Sequence, residues 1–256
     1  MTASNTATTR LPVLFVGHGS PMNALEDNAF TQSWRQIAAE IPRPRAILAV
    51  SAHWYLSDQR VTAQAWPRTI HDFYGFPQAL FDVQYPAPGA LELAAETARA
   101  FSPPLGLDHG TWSVLRVMYP AADIPVYQLS LDTRLSGPEH LKMSPQLQAL
   151  REQGVLILGS GNIVHNLRLI QWGLAGGHDW AEAFQAQSQT LIRERQDQRL
   201  ARFEELGTAA QLAIPSPDHF LPLLYVLGDS EADEPQHWFN TACVMGSLSM
   251  DSVLIG

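Results

Sequence analysis

The chain carries nine histidines, and their placement says more than their number. His18 directly follows an apolar run at 11–16 (LPVLFV), His53 follows another at 46–51 (AILAVS), and His165 comes shortly after a third at 155–159 (VLILG). An imidazole nitrogen is a good ligand for a divalent transition metal. Its ordinary pKa of about 6.5 also suits it to proton transfer. If the three apolar runs are parallel strands, their carboxyl ends share one rim, and three imidazoles converge there. His219, in a Pro-bounded turn at 216–220 (SPDHF), can face the same rim. Glycines at 17, 19, 159 and 161 let the backbone turn tightly beside a bound group. His71 and His109 each adjoin an aspartate, Asp72 and Asp108, although neighbours in sequence need not meet in space. His140 and His178 read as helix-entry residues and His237 as part of an acidic loop, all three at the surface.

The elements that must position these side chains follow from periodicity. Besides the three runs above, 124–131 (IPVYQLSL) reads as a buried strand, and 245–255 as a final, partly alternating one. Amphipathic helices are expected at 30–41, at 90–101 and, longest, at 180–206. Strands alternating with helices indicate an α/β fold. The expectation is a single domain with a central, largely parallel or mixed β-sheet flanked by helices, and a metal site at the strand-end rim. Residues 1–10 read as a flexible leader and 11–256 as one catalytic domain.

Composition removes other classes. Sixteen Lys and Arg against 25 Asp and Glu give a net charge of −9, which disfavours polyanionic partners such as nucleic acid or an anionic membrane surface. Apolar residues make up 46%, too many for a disordered chain. No apolar run approaches the roughly 18 residues of a membrane span. The one cysteine, Cys243, cannot form an internal disulfide and reads as a buried small hydrophobe, which suits a reducing cytoplasm. There is no G-x-S-x-G elbow, phosphate-binding P-loop, dinucleotide-binding G-x-G-x-x-G or H-E-x-x-H helix.

Six short motifs then occur in order: 17–22 (GHGSPM), 51–54 (SAHW), 71–77 (HDFYGFP), 107–112 (LDHGTW), 159–167 (GSGNIVHNL) and 217–220 (PDHF). Together they closely resemble the class III extradiol ring-cleaving dioxygenases, in particular the 4,5-DOPA dioxygenase branch, over nearly the whole chain from about residue 11. The resemblance implies one divalent metal ion, Fe(II) for ring cleavage or Zn(II) as isolated. It implies His18 and His53 as metal ligands. It implies His165 as the active-site base, close enough to the metal to be a further ligand in some members. His109 would contact a substrate oxygen, and His71 and Tyr74 would line the pocket. For the third ligand, relatives in the superfamily supply a late Glu, whereas this chain offers Asp218 and His219; His219 is favoured, with Asp218 as the alternative. An all-imidazole site carries one negative charge less than a site of two His and one carboxylate.

The implied reaction is cleavage of a catechol, DOPA-like, with O2, at the ring bond outside the diol pair. His165 would take a catechol proton and later return it, and His109 would orient a substrate hydroxyl. Trp54, Phe73, Tyr74 and Phe76 could wall a flat apolar pocket. Two other readings stay open: a zinc-dependent hydrolase on the same scaffold, and a non-catalytic zinc protein in which His18, His53, His165 and His219 close one tetrahedral site. The sequence leaves the oligomeric state open.

Overall fold

The structure, a computed structural model, describes residues 10–97 and 106–256. Its strands are β1 (Val13–Gly17), β2 (Ala46–Leu56), β3 (Val126–Asp132), β4 (Val155–Gly161), β5 (Gln236–Phe239), β6 (Cys243–Val244), β7 (Leu248–Ser249) and β8 (Ser252–Ile255). Its helices begin with α1 (Ala29–Glu40), α2 (Gln78–Phe81), α3 (Leu91–Thr97), α4 (His109–Met118) and α5 (Gly137–Met143). They continue with α6 (Gln148–Glu152), α7 (Asp179–Arg193), α8 (Asp197–Leu200), α9 (Thr208–Ala213) and α10 (Leu221–Asp229).

Six strands form one sheet in the order β3-β2-β4-β1-β8-β5. β3, β2, β4 and β1 run parallel, while β8 pairs antiparallel with β1 and β5 with β8. The expected single-domain α/β fold with a largely parallel, mixed sheet is therefore the fold observed. The runs read as strands are mostly apolar, rather than alternating, because both faces are covered. Val13, Phe15, Val155 and Ile157 point to one side and pack with Leu141, Phe184 and Leu224 of α5, α7 and α10. Leu14, Val16, Leu156 and Leu158 point to the other and pack with Trp34 of α1 and Trp112 of α4.

Several expectations are corrected. β2 does not stop at residue 51 but continues to Leu56. Its register against β3 shifts between Val50 and Tyr55, so His53 sits inside an irregular stretch of strand rather than beyond its end. The helix expected over 180–206 is broken, because α7 ends at Arg193 and Arg195 adopts a positive φ of 55°. The last strand is two, β7 and β8, and β7 pairs with β6 across a turn where Met245 and Gly246 both have positive φ. His237 lies in edge strand β5, exposed, rather than in a loop. His140 is not a surface residue: it is fully buried in α5, with Nδ1 at 3.1 Å from the Tyr225 hydroxyl and Nε2 at 3.1 Å from the Asp132 carbonyl. Both ring nitrogens find partners there, so its burial is satisfied.

Of the supposed leader, residues 1–9 lie outside the described residues, as do residues 98–101 of the helix expected at 90–101. Arg10 is fastened by ion pairs to Glu152, Glu231 and Glu234. No helix among the described residues is long and apolar enough to cross a membrane.

Candidate metal centre

Each histidine of the cluster is delivered by a different element. His18 follows β1, and its backbone N–H donates to the Gly161 carbonyl at 3.0 Å, which ties the ends of β1 and β4 together. His53 comes from the irregular part of β2, His109 opens α4, and His219 lies in the turn before α10. The close approach of these segments demands glycine. A Cβ on Gly161 would lie 2.1 Å from the His219 carbonyl oxygen, and one on Gly110 would lie 2.9 Å from Cδ2 of His53.

His18, His53 and His219 bring one ligand nitrogen each to within 4.8 Å of one another. The Nε2 atoms of His18 and His53 are 3.3 Å apart. Two nitrogens bound to one ion at about 2.1 Å each stand about 3.0–3.4 Å apart, so this spacing suits a shared ion. The hydrogen bonds fix which nitrogen is free. The Ser160 hydroxyl has one proton and donates it to the Gly110 carbonyl at 2.6 Å, so Ser160 Oγ accepts from Nδ1 of His18 at 3.0 Å. His219 donates from Nδ1 to Asp218 Oδ2 at 2.6 Å. Its Nε2 is buried with no hydrogen-bond partner among the described residues. In neutral rings held this way, Nε2 carries a lone pair. Buried lone pairs turned towards one another are costly unless a cation or a proton lies between them. The donor set therefore fits a divalent metal ion.

The electrostatics agree. Burial, followed by the charge of neighbouring histidines, holds His18 and His219 well below the usual imidazole range. Burial and the nearby His109 push His53 down to about 3 against the pull of Asp72. Metal ligation requires neutral imidazole, and these rings are already neutral at pH 7.

His165 sits differently. Its ring lies flat on that of His219, with centroids 3.4 Å apart and planes 4° from parallel. Ring lone pairs lie in the ring plane, so two stacked rings cannot both aim at one ion. Burial pushes His165 down to about 4, with Asp218 opposing. Its ring makes no hydrogen bond among the described residues. His109 lies against His53, centroids 3.8 Å apart, and its Nδ1 is 2.9 Å from Asp72 Oδ1.

His71 stands one aromatic layer away. Its Nε2 donates to the Val83 carbonyl at 3.0 Å and its ring packs on Phe73, whose edge meets His109. Phe76 packs on Phe73 in turn, and Trp54 is buried. Tyr74 is 92% exposed.

Three residues that shape the site were not singled out from sequence. Ser160 was visible only as the middle of a Gly-Ser-Gly triplet, and Asp72 only as a neighbour of His71. The third, Asp108, is buried as the N-cap of α4: it accepts from Thr111 N, from the Ser51 hydroxyl at 2.7 Å and from Gln128 at 2.6 Å. The Ser51 hydroxyl in turn accepts from the His53 backbone N–H at 3.3 Å. Burial, then the charge of Asp72, raises the Asp108 carboxyl against these hydrogen bonds.

Comparison with known proteins places this arrangement. Residues 11–247 match the family described as the catalytic LigB subunit of aromatic ring-opening dioxygenase. The chain is 46% identical to the 4,5-DOPA dioxygenase extradiol of Escherichia coli K12, over 98% of this chain and 96% of that one. It is 36% identical to the protein of the same name from Beta vulgaris, over 84% of this chain and 85% of that one. The crystal structure of an uncharacterised Escherichia coli K12 protein superposes with a TM-score of 0.84 at 40% identity, covering 96% of this chain and all of the other. With the family matched over most of its length and three histidines gathered at the sheet rim, the chain belongs to the LigB family of aromatic ring-opening dioxygenases, and it is a ring-cleaving oxidoreductase.

Proposed function

We propose that the protein is an extradiol dioxygenase that cleaves a DOPA-like catechol with O2, using one divalent metal ion held by His18, His53 and His219. The observation that carries this reading is the convergence of one ring nitrogen each from His18, His53 and His219, with the rings of His18 and His219 anchored from behind by Ser160 and Asp218. When bound, the ion supplies a Lewis-acidic and, as Fe(II), redox-active meeting place for catechol and O2. Zinc lacks that redox step, so the reading assigns iron to turnover. Three protein ligands leave room for both reactants, as a site built from four would not.

His219 rather than Asp218 is the third ligand in this reading, because Asp218 is engaged with Nδ1 of His219 at 2.6 Å. His165 acts as the base. Its stacked ring does not aim at the ion, and with its pKa down at about 4 a ring nitrogen is free at pH 7 to take a catechol proton. The same geometry speaks against a closed four-histidine zinc site. His109 meets a substrate oxygen from the opposite side of His53. His71 supports the pocket wall through Phe73, and exposed Tyr74 stands at its margin. The reading also places the enzyme in the cytoplasm, where buried Cys243 stays a thiol.

The test is to load metal-free protein anaerobically with Fe(II), add DOPA and admit air. The expected result is about one O2 consumed per DOPA and a yellow ring-opened product, both dependent on iron. No oxygen uptake above the metal-free control, with DOPA or simpler catechols, overturns the reading.

A further inference from the structure

Asp72 touches two rings of the site at once. Its Oδ1 accepts the backbone N–H of His109 at 3.0 Å and lies 2.9 Å from Nδ1 of the same residue. Its Oδ2 lies 3.8 Å from Nδ1 of His53. The Nδ1 contact of His109 runs off the N–H direction, so it acts through charge and proximity, while the backbone contact is a well-aligned hydrogen bond. That backbone N–H belongs to the first residue of α4, a donor with no partner inside its own helix. The two rings are pressed together, centroids 3.8 Å apart, and Gly110 leaves no room between α4 and His53.

The arrangement repeats a pattern seen around the other rings. Ser160 stands behind Nδ1 of His18, and Asp218 behind Nδ1 of His219. Asp72 stands behind Nδ1 of both His53 and His109. Behind His18 and His219 the oxygen is hydrogen-bonded to the outer nitrogen, whereas beside His53 and His109 the carboxylate faces that nitrogen through charge and proximity. Groups that orient metal-bound histidines in this way typically change metal affinity or activity by about 10–100-fold when removed. Asp72 differs in serving a ring assigned to the metal and a ring assigned to the substrate. The loop that carries it also carries Phe73, whose edge packs on His109.

We propose that Asp72 is a positioning residue that locks His109 to His53, so that one carboxylate sets where the catechol oxygen binds relative to the metal. The inference rests on the dioxygenase reading above. Catechol recognition and metal geometry are then a single mechanical unit, and a change at Asp72 is felt by substrate through His109.

The experiment measures anaerobic binding of 4-nitrocatechol, a coloured catechol probe, to Fe(II)-loaded protein, with metal content determined on the same samples. Asp72→Asn keeps the shape and an oxygen for the His109 backbone N–H but removes the charge. It is expected to retain one metal per chain, to bind nitrocatechol about tenfold more weakly, and to raise KM for DOPA more than it lowers kcat. In a His109→Gln background the same substitution is expected to have little further effect on nitrocatechol binding, because the partner through which it acts is gone. Wild-type-like binding by Asp72→Asn overturns the proposal, and so does an equal loss in both backgrounds. If Asp72→Asn does not fold, Asp72→Glu carries the test, with intermediate binding expected and wild-type binding overturning it. If wild-type protein binds and cleaves catechols while these variants behave like it, the inference alone fails. If wild-type protein binds no nitrocatechol, the dioxygenase reading fails first.

Discussion

The two ends of the same parallel strands bury ionisable groups in opposite ways. At the amino end, Arg151 is 1% exposed. Its guanidinium donates to the Leu11 and Asp229 carbonyls and pairs with both oxygens of Glu234, which also meets Arg10. Nearly every donor there has an acceptor, and charge meets opposite charge. At the carboxyl end, His18 and His219 turn Nε2 lone pairs into a cluster that His53 completes, and the carboxylates stand behind the rings rather than among them. The first arrangement gives Arg151 its own acceptors and an opposite charge. The second is complete only with a cation. The difference shows how one sheet separates an ionic knot from a reactive centre: in the knot a buried cation meets its acceptors within the chain, and at the centre buried acceptors are left without a cation.

The contrast also revises the charge of the site. With histidine as third ligand, the immediate ligands are neutral. In the proposed site, Asp218, hydrogen-bonded to His219, and Asp72, 3.8 Å from His53, would restore negative charge behind the rings without occupying a coordination position.

The most severe break in the contrast is at the rim. His18→Ala, His53→Ala or His219→Ala should abolish stable metal binding, read by metal analysis after dialysis, and reduce iron-dependent oxygen uptake by about 10³-fold or more, while the metal-free variants unfold at or above the wild-type temperature. A metal-replete, active His18→Ala protein would remove the assignment. Next comes His165→Ala, which should keep the metal and bind nitrocatechol nearly normally yet lose about 10²–10⁴-fold in kcat.

The opposite pole should respond in stability instead. Arg151→Met leaves Glu234 and Asp229 without their buried partner and should cost about 3–5 kcal/mol in chemical denaturation, with metal stoichiometry unchanged in the protein that remains folded. If Arg151→Met were silent and His53→Ala unfolded the chain, the two poles would have been assigned the wrong way round. Ser160→Ala removes the acceptor behind His18 and should weaken metal affinity about 10–100-fold, measured by competition with a chelator.

The smallest effects concern pH, and the two poles have opposite signs. His53 and His165 lie near 3 and 4 when folded against about 6.5 when unfolded. The unfolded chain therefore binds more protons between those limits, and metal-free protein should lose stability as pH falls below about 6.5. Asp229 behaves in reverse. Both its carboxylate oxygens are buried without hydrogen-bond partners among the described residues, and burial, opposed by Arg151, pushes it up to about 7. Here the folded chain holds the proton, so stability should fall as pH rises towards 7. Asp229→Asn should flatten that upper slope in thermal melts between pH 5 and 8 and leave the acid slope intact.

Much of this is legible in the amino-acid sequence. The runs at 11–16, 46–51, 124–131 and 155–159 read as buried strands because a sheet covered on both faces favours near-continuous apolar residues. His18 and His165, which follow β1 and β4, were legible for the same reason, since loops past parallel strands share a rim, whereas His53 lies inside the irregular part of β2. Edge strand β5 was not, because its partly exposed Gln236–Phe239 lacks a continuous apolar signal. The break after α7 was missed because Arg195 takes a left-handed conformation that composition does not announce. His140 was misread because its satisfaction comes from Tyr225, 85 residues away in sequence, a pairing that exists only once α5 packs on α10.

The sequence by itself determined the fold class, the family and the inventory of imidazoles, because these depend on local periodicity and on residue types at fixed spacing. Only the tertiary structure decided what each imidazole can do. Which nitrogen of His18 is free depends on an oxygen supplied by a distant segment, and the flat stacking of His165 on His219 depends on two segments far apart in sequence. Ser160 lies 142 residues from His18. A tautomer is fixed by a partner across space, and that partner exists only after the strands have been brought side by side.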